Sequence, residues 1–338
     1  MELYTDVARQ YADFARYADD SPCFRSWAQA VADDPEVLAW IEGLPQVKQQ
    51  PNLVFAAARW HGVAAPGTYD GLRRALLDDD GTIRATILAR ATQTNEVGRL
   101  ATLVPWLAGL AREAGDRPLA LLEVGASAGL CLYPDRYSYA WSTGDGTVEA
   151  GSGPLLTCAV TGSLPGPPEP PAVGWRGGID LHPLHVTDDD AMAWLDNLVW
   201  PEQSDRRARL RAAVEVARID SLRLITGDLL DELPELVGEA AASGPVVVFH
   251  SAVIAYLDPA DRERFQALMT TLVGAGRCRW VSNEGAQVLP AVTATGPALP
   301  EDHPAFVLGV DGRAVAWTHG HGRVDAGPLK AGRGVRPA

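Results

Sequence analysis

The 338-residue sequence predicts an α/β protein: an all-helical N-terminal part, then a mostly parallel sheet closed by an antiparallel hairpin. Three observations carry this expectation. Residues 1–115 hold apolar side chains at helical spacing and no convincing strand. After Arg117-Pro118, short apolar runs alternate with loops and helical segments. Near the end, Asp311-Gly312 joins two alternating runs, a strong hairpin signal. Strands separated by helices imply a parallel sheet covered on both faces.

Taken in order, Val7 to Tyr17 reads as a helix, and Ser21-Pro22 and Asp34-Pro35 are start signals for two more, the second stopping near Gly43 and Pro45. Leu53 to Trp60 is a buried helix by composition. A further helix starts around Asn95, with Leu100, Leu103, Val104, Leu107 and Leu110 on one stripe and a kink expected at Pro105. Leu119 to Val124 is the first strand. Arg136 to Trp141 alternates and runs into Thr143-Gly144-Asp145-Gly146, which predicts a hairpin. Gly162 to Pro171 reads as a loop, and Val173 to Leu181 as the second core strand. Ala191 to Leu198 and Asp205 to Arg218 are helical, and Leu222 to Thr226 is the third strand. Pro245 to Phe249 is the clearest strand of all; Arg262 to Val273 is a helix and Arg279 to Ser282 the fifth strand. Phe306 to Val310 and Arg313 to Trp317 form the closing hairpin, and the Gly/Pro-rich tail 326–338 is expected to fray. Five parallel strands with a closing hairpin match the Rossmann-like sheet of class I methyltransferases. The expected domains are therefore 1–115, helical, and 116–325, α/β, with an insertion at about 133–172.

Composition narrows the partners. Acidic residues outnumber basic ones, 43 against 29, for a net charge of −14, which disfavours a nucleic-acid backbone as partner. No apolar run is long enough for a membrane span, and the N-terminus lacks the basic start and apolar core of a signal peptide, so a cytoplasmic location is expected. The four cysteines form no C-x-x-C pair and read as buried thiols. His182 and His185 lie in a Pro-containing loop, a spacing too weak to indicate a metal, and none is expected.

The informative segment is Leu121 to Leu130, an apolar strand breaking into small residues. A strand ending in a Gly-rich turn lets backbone N–H groups approach a ligand. With Glu123 the letters spell E-x-G-x-x-x-G, the cofactor loop of S-adenosylmethionine methyltransferases; from Gly125 they spell G-x-S-x-G, the nucleophile elbow of α/β-hydrolases. A hydrolase reading makes Ser127 the nucleophile, with Asp180 or Asp228 and then His250 or His319 in the required order. It also needs strands and an oxyanion loop before the elbow, where this chain is helical. The methyltransferase reading finds Asp180 ending the second strand for the ribose hydroxyls, Asp228 after the third for the adenine, and His250 and Ser251 ending the fourth near the transferred methyl. Gly125, Ser127 and Gly129 would line the cofactor and Glu123 orient it. One departure is the spacing: Asp180 lies far beyond the glycines compared with ordinary dinucleotide sites.

The segments 51–57, 92–99, 122–130, 178–184, 198–203 and 247–251 together resemble the DUF2332 family of bacterial proteins. The resemblance implies a methyltransferase-like Rossmann domain but no substrate.

Outside the sheet, Gln93-Thr94-Asn95-Glu96 is unusually polar. It reads either as a cap, with Thr94 or Asn95 starting the next helix, or as polar contacts to a ligand, with Arg99 one turn on to pair with a carboxylate. His250 is either a general base for the acceptor or a histidine hydrogen-bonded in the sheet end. Trp200 to Gln203 reads as a helix-terminating lid with Glu202 toward the cleft. Trp27, Trp40 and Trp60 are core residues or the lining of an apolar pocket. The expected function is S-adenosylmethionine binding with methyl transfer to a small metabolite. The alternative is a cofactor-binding or regulatory protein without transfer, and oligomeric state is open.

Overall fold

Ser21 and Asp34 each precede a proline in the first helical turn, and each side chain accepts backbone N–H groups of the helix it starts. This pairing of an N-cap acceptor with a proline that needs no donor sets two helix starts in the N-terminal region. The computed structural model describes residues 6–93, 95–220, 222–297, 306–319 and 323–325. Thr94 and the tail 326–338 lie outside the described residues. Among the described residues no helix is long and apolar enough to cross a membrane.

The chain forms two compact units, residues 1–94 with 188–211 and residues 95–187 with 212–338. The first is helical, with helices Val7–Tyr17, Pro22–Ala32, Pro35–Glu42, Pro51–Trp60, Tyr69–Leu77 and Thr82–Ala89 joined by Asp189–Leu198 and the start of Ser204–Ala217. Where the sequence places a boundary near residue 115, the helix Leu100–Glu113 belongs with the sheet, and 188–211 belongs with the helices.

The reason for the second exchange is a set of specific bonds. Trp194 is buried in the same core as Tyr11, Trp27 and Phe55. The Trp200 indole N–H donates to Asn52 Oδ1 at 2.9 Å, and Asn197 Nδ2 donates to the Ala56 carbonyl at 2.8 Å. Arg59 donates to the Asn197 and Val199 carbonyls, meeting acceptors that the end of helix Asp189–Leu198 leaves open. Two of the sequence segments that resemble the family thus bond to each other. Trp27 is fully buried with its indole N–H on the Gly67 carbonyl, Trp60 packs edge-on against Trp194, and Trp40 lies under Arg84.

The second unit carries the strands: β1 (Leu119–Val124), β2 (Ser138–Thr143), β3 (Gly146–Gly151), β4 (Leu155–Thr161), β5 (Val173–Asp180), β6 (Arg223–Thr226), β7 (Val246–Ser251), β8 (Arg279–Gly285), β9 (Phe306–Val310), β10 (Arg313–His319) and β11 (Arg323–Asp325). A seven-stranded mixed sheet runs β10-β9-β8-β7-β1-β5-β6, and a three-stranded sheet runs β3-β2-β4; short β11 pairs with both β10 and β4. From β6 to β8 every pairing is parallel, whereas β9 and β10 are antiparallel, so the parallel set and the closing hairpin stand as expected. Ala120, Leu122 and Val124 share one face of β1 and pack with Leu233, Leu236, Phe265 and Met269 of helices Leu229–Ala241 and Pro259–Gly274. By strand alternation Glu123 sits on the other face.

Two further differences follow from local chain length. The expected hairpin exists, turning at Gly144-Asp145, but β4 adds to it in parallel and makes the insertion a small sheet. No α-helix lies between β1 and β5; the short segment before β2 holds only the 3₁₀ turns Leu130–Leu132 and Pro134–Arg136. Arg176 on β5 anchors that segment, with both carboxylate oxygens of Asp135 within 2.9 Å of its Nη2 and its guanidinium over the Tyr133 ring.

Candidate functional site at the carboxyl ends of β1, β5 and β7

The order of the parallel strands reverses between β1 and β7, with β5 and β6 on one side and β7 and β8 on the other. In open α/β sheets ligands bind outside the carboxyl ends at such a point. The Glu123–Gly129 loop and the end of β7 both lie there.

The loop's backbone is committed inward. Gly125 and Ala126 donate their N–H groups to the Ile179 carbonyl at 2.8 and 3.1 Å, and Ser127 N–H donates to Asp180 Oδ2 at 2.8 Å. Gly125, Ser127 and Gly129 all have positive φ, at 69°, 51° and 68°. A Cβ on Gly125 would overlap the Val253 methyl groups, and one on Gly129 would overlap Leu222. The two glycines are therefore required by the protein's own close packing as well as by backbone conformation.

Glu123 is the unusual member. Its side chain is buried at 8% exposure, and Oε2 has no hydrogen-bond partner among the described residues. Burial, reinforced by the Asp180 carboxylate and opposed by Arg99, holds its carboxyl well above the usual carboxylate range. Burial thus outweighs the neighbouring Arg99 charge and favours the protonated acid. Asp180 ends β5 as expected, and its two oxygens accept the N–H groups of Ser127 and His182, each at 2.8 Å. Two acceptors are thereby spent on shaping the loop, which leaves the carboxylate's other lone pairs for a ligand.

Arg99 is buried beside them and donates to the Ser251 carbonyl at 3.0 Å, so it ties the segment before helix Leu100–Glu113 to the end of β7. Glu96, also buried, caps this turn by accepting the Gly98 N–H; that cap is one residue beyond the expected Asn95, which is half-buried. Gln93 belongs to the helical unit, while Asn95, Glu96 and Arg99 belong to the sheet unit. Ser251 is half-buried, and its Oγ accepts from Asn283 Nδ2 at 2.9 Å.

Two expectations are corrected by geometry, at His250 and at Glu202. His250 is fully buried, with Nδ1 at 2.7 Å from Glu284 Oε1 and Nε2 accepting the Trp280 indole N–H at 3.0 Å. Both ring nitrogens are used within the protein, so the general-base role does not fit and the sheet-end reading does. Asp228, exposed at the end of β6, caps helix Leu229–Ala241 by accepting the Leu230 N–H with Oδ1, which leaves Oδ2 uncommitted by that cap. Glu202 lies in the helical unit and accepts the Ser21 hydroxyl at 2.5 Å and the Cys23 N–H at 2.9 Å, which makes it a second cap on helix Pro22–Ala32.

The residues the sequence does not reveal are Glu284, Trp280, Asn283 and Val253. Glu284 is 1% exposed, and its Oε1 accepts from His250 Nδ1, Val253 N–H and Ile254 N–H. The one available signal is the acid in Arg279 to Gly285, an otherwise strand-like run. All four cysteines are buried thiols, as expected.

Residues 8–325 match the family model described as an uncharacterized protein conserved in bacteria, DUF2332. The chain belongs to the DUF2332 family. A search of curated proteins gives no match. The DUF2332 match spans both units, so the clasp between residues 52–59 and 197–200 and the β1 loop are alike parts of the family region.

Proposed function

We propose that the chain binds S-adenosylmethionine in the crevice at the carboxyl ends of β1, β5 and β7 and passes its methyl group to a small metabolite. The observation that carries this reading is the unpartnered, buried Glu123 Oε2 beside Asp180. A buried acid without a partner is costly, by about 1–3 kcal/mol, and a ligand ammonium would supply the missing donor and charge. The parallel strand order, third-second-first-fourth-fifth, is that of doubly wound nucleotide-binding sheets and supports the same crevice.

The loop favours this ligand over one held by phosphates. Its first three N–H groups are spent on Ile179 and Asp180, and a three-residue 3₁₀ turn follows where a phosphate-binding fold places a helix N-terminus. The Asp180 carboxylate, bonded in the loop to the backbone N–H groups of Ser127 and His182 rather than to a cation, also opposes a phosphate. Glu123 would hold the ammonium, and the remaining lone pairs of Asp180 would take the ribose hydroxyls. The end of β7 at Ser251 would border the methyl. The cofactor, when bound, supplies a methyl on a positively charged sulfur, so the chain's task is to place an acceptor in line and exclude water.

Binding without transfer is the second reading, and one observation favours it: the histidine at the end of β7 has both nitrogens engaged. Calorimetric titration with S-adenosylmethionine and S-adenosylhomocysteine tests the first step. The expected result is binding that weakens about tenfold or more, at least 1.4 kcal/mol, in Glu123→Gln and in Asp180→Ala. No binding to either compound overturns the proposal. Methyl label from the cofactor appearing in a bacterial small-metabolite extract separates transfer from binding alone.

A further inference from the structure

The segment after β7 is held more firmly than a loop of its length requires. Ala252 adopts a positive φ of 58° and donates its N–H to the Asn283 carbonyl at 3.0 Å. The next two N–H groups, of Val253 and Ile254, converge on Glu284 Oε1 at 3.0 and 3.2 Å, and His250 Nδ1 meets the same oxygen. Trp280 donates to His250 Nε2, which requires the tautomer whose proton is on Nδ1 and so points a donor at Glu284. Behind the segment, Arg262 donates to the Ala255 and Leu257 carbonyls at 2.7 and 3.0 Å. The product of this clamp is the location of one side chain. The Val253 methyl groups occupy the room that a Cβ on Gly125 would need.

We propose that Val253 sets how closely a ligand approaches the Gly125 backbone, and that Glu284 is the positioning residue that keeps Val253 there. The proposal rests on the crevice beside β1 and β7 being the ligand site. A glycine after a first strand ordinarily leaves its backbone open to a ligand; here a branched side chain, fastened through its own N–H, covers that approach. Glu284 acts through the Val253 and Ile254 N–H groups that its Oε1 holds. A smaller residue at 253 opens the approach and a larger one narrows it, while a glutamine at 284 keeps an oxygen able to accept the same three hydrogen bonds.

Titration of S-adenosylhomocysteine into the full chain tests this, with hydrogen–deuterium exchange as the second readout. The expected result is affinity raised about threefold or more by Val253→Ala and lowered about threefold or more by Val253→Ile. Glu284→Ala should move affinity in the direction of Val253→Ala, and Glu284→Gln should restore the wild-type value. Exchange at residues 251–254 and 125–129 should rise by about tenfold or more in Glu284→Ala and stay at the wild-type rate in Glu284→Gln. Affinities of both Val253 variants within about twofold of wild type, while Glu123→Gln still weakens binding, refute the Val253 role and spare the cofactor reading. If the wild type takes up no S-adenosylhomocysteine, the cofactor reading falls and exchange decides. Unchanged exchange at 125–129 in Glu284→Ala then overturns the clamp, and increased exchange sustains it.

Discussion

Replacing Glu123 by Gln should make the protein more stable, and increasingly so as pH rises. The native carboxyl is held well above the ordinary carboxylate range by burial first and by Asp180 second. Below that ordinary range both the native and the unfolded chain carry the proton, and the residue contributes no pH dependence. As pH rises, the unfolded chain ionises first, so the native state binds the extra proton and native stability declines until the native carboxyl ionises as well. Each pH unit between those two points costs about 1.4 kcal/mol. Glutamine removes this loss while keeping shape. The protonated acid and the amide each leave one polar group unpartnered at the Oε2 position, so that cost of about 1–3 kcal/mol cancels to first order. In a unit of this size each kcal/mol raises Tm by about 2–4 °C. Scanning calorimetry from acid to mildly alkaline pH should show curves that coincide at the acid end and then diverge, with the variant melting higher. A wild type as stable as the variant at mildly alkaline pH would refute the reasoning, because it would mean that the buried acid is ionised and satisfied.

Other perturbations separate the loop from the clasp. Asp180→Ala should cost about 2–4 kcal/mol in denaturant melts, since the Ser127 and His182 N–H groups lose their acceptor; a loss below about 0.5 kcal/mol contradicts that bonding. Gly129→Ala should cost about 2–4 kcal/mol from its positive φ and the overlap with Leu222, and Leu222→Ala in the same chain should recover part of it. Asn52→Ala should destabilise the helical unit by about 1–2 kcal/mol by stranding the Trp200 indole N–H, seen as a shift in tryptophan emission at lower denaturant. Ser127→Ala should leave fluorophosphonate labelling unchanged; labelling that depends on Ser127 would favour the hydrolase reading.

What was legible in the sequence is what local chemistry determines. The apolar run into Glu123 and the small residues after it placed β1 and its turn, and Asp180 fell at the end of β5 despite the long separation, because the intervening segment is a sheet of its own. The helix starts at Ser21 and Asp34 were readable because cap and proline lie side by side. What was hidden depends on partners far along the chain. His250 looks like a base until Trp280 and Glu284, 30 and 34 residues on, take both its nitrogens. Glu202 looks like a cleft acid until Ser21 and Cys23 bond to it. The recruitment of 188–211 into the helical unit rests on Trp194, Asn197 and Trp200 meeting residues more than a hundred positions earlier, which periodicity does not register.

The central claim is that Glu123 meets a cationic group of the ligand, and proton counting tests it most directly. If the free protein holds Glu123 protonated and the ligand ammonium ionises it, binding must release a proton. Titration of S-adenosylhomocysteine near neutral pH, repeated in buffers of different ionisation enthalpy, should show proton release by the wild type that is absent in Glu123→Gln. Binding with the same proton count in both proteins, or no binding at all, would contradict the account.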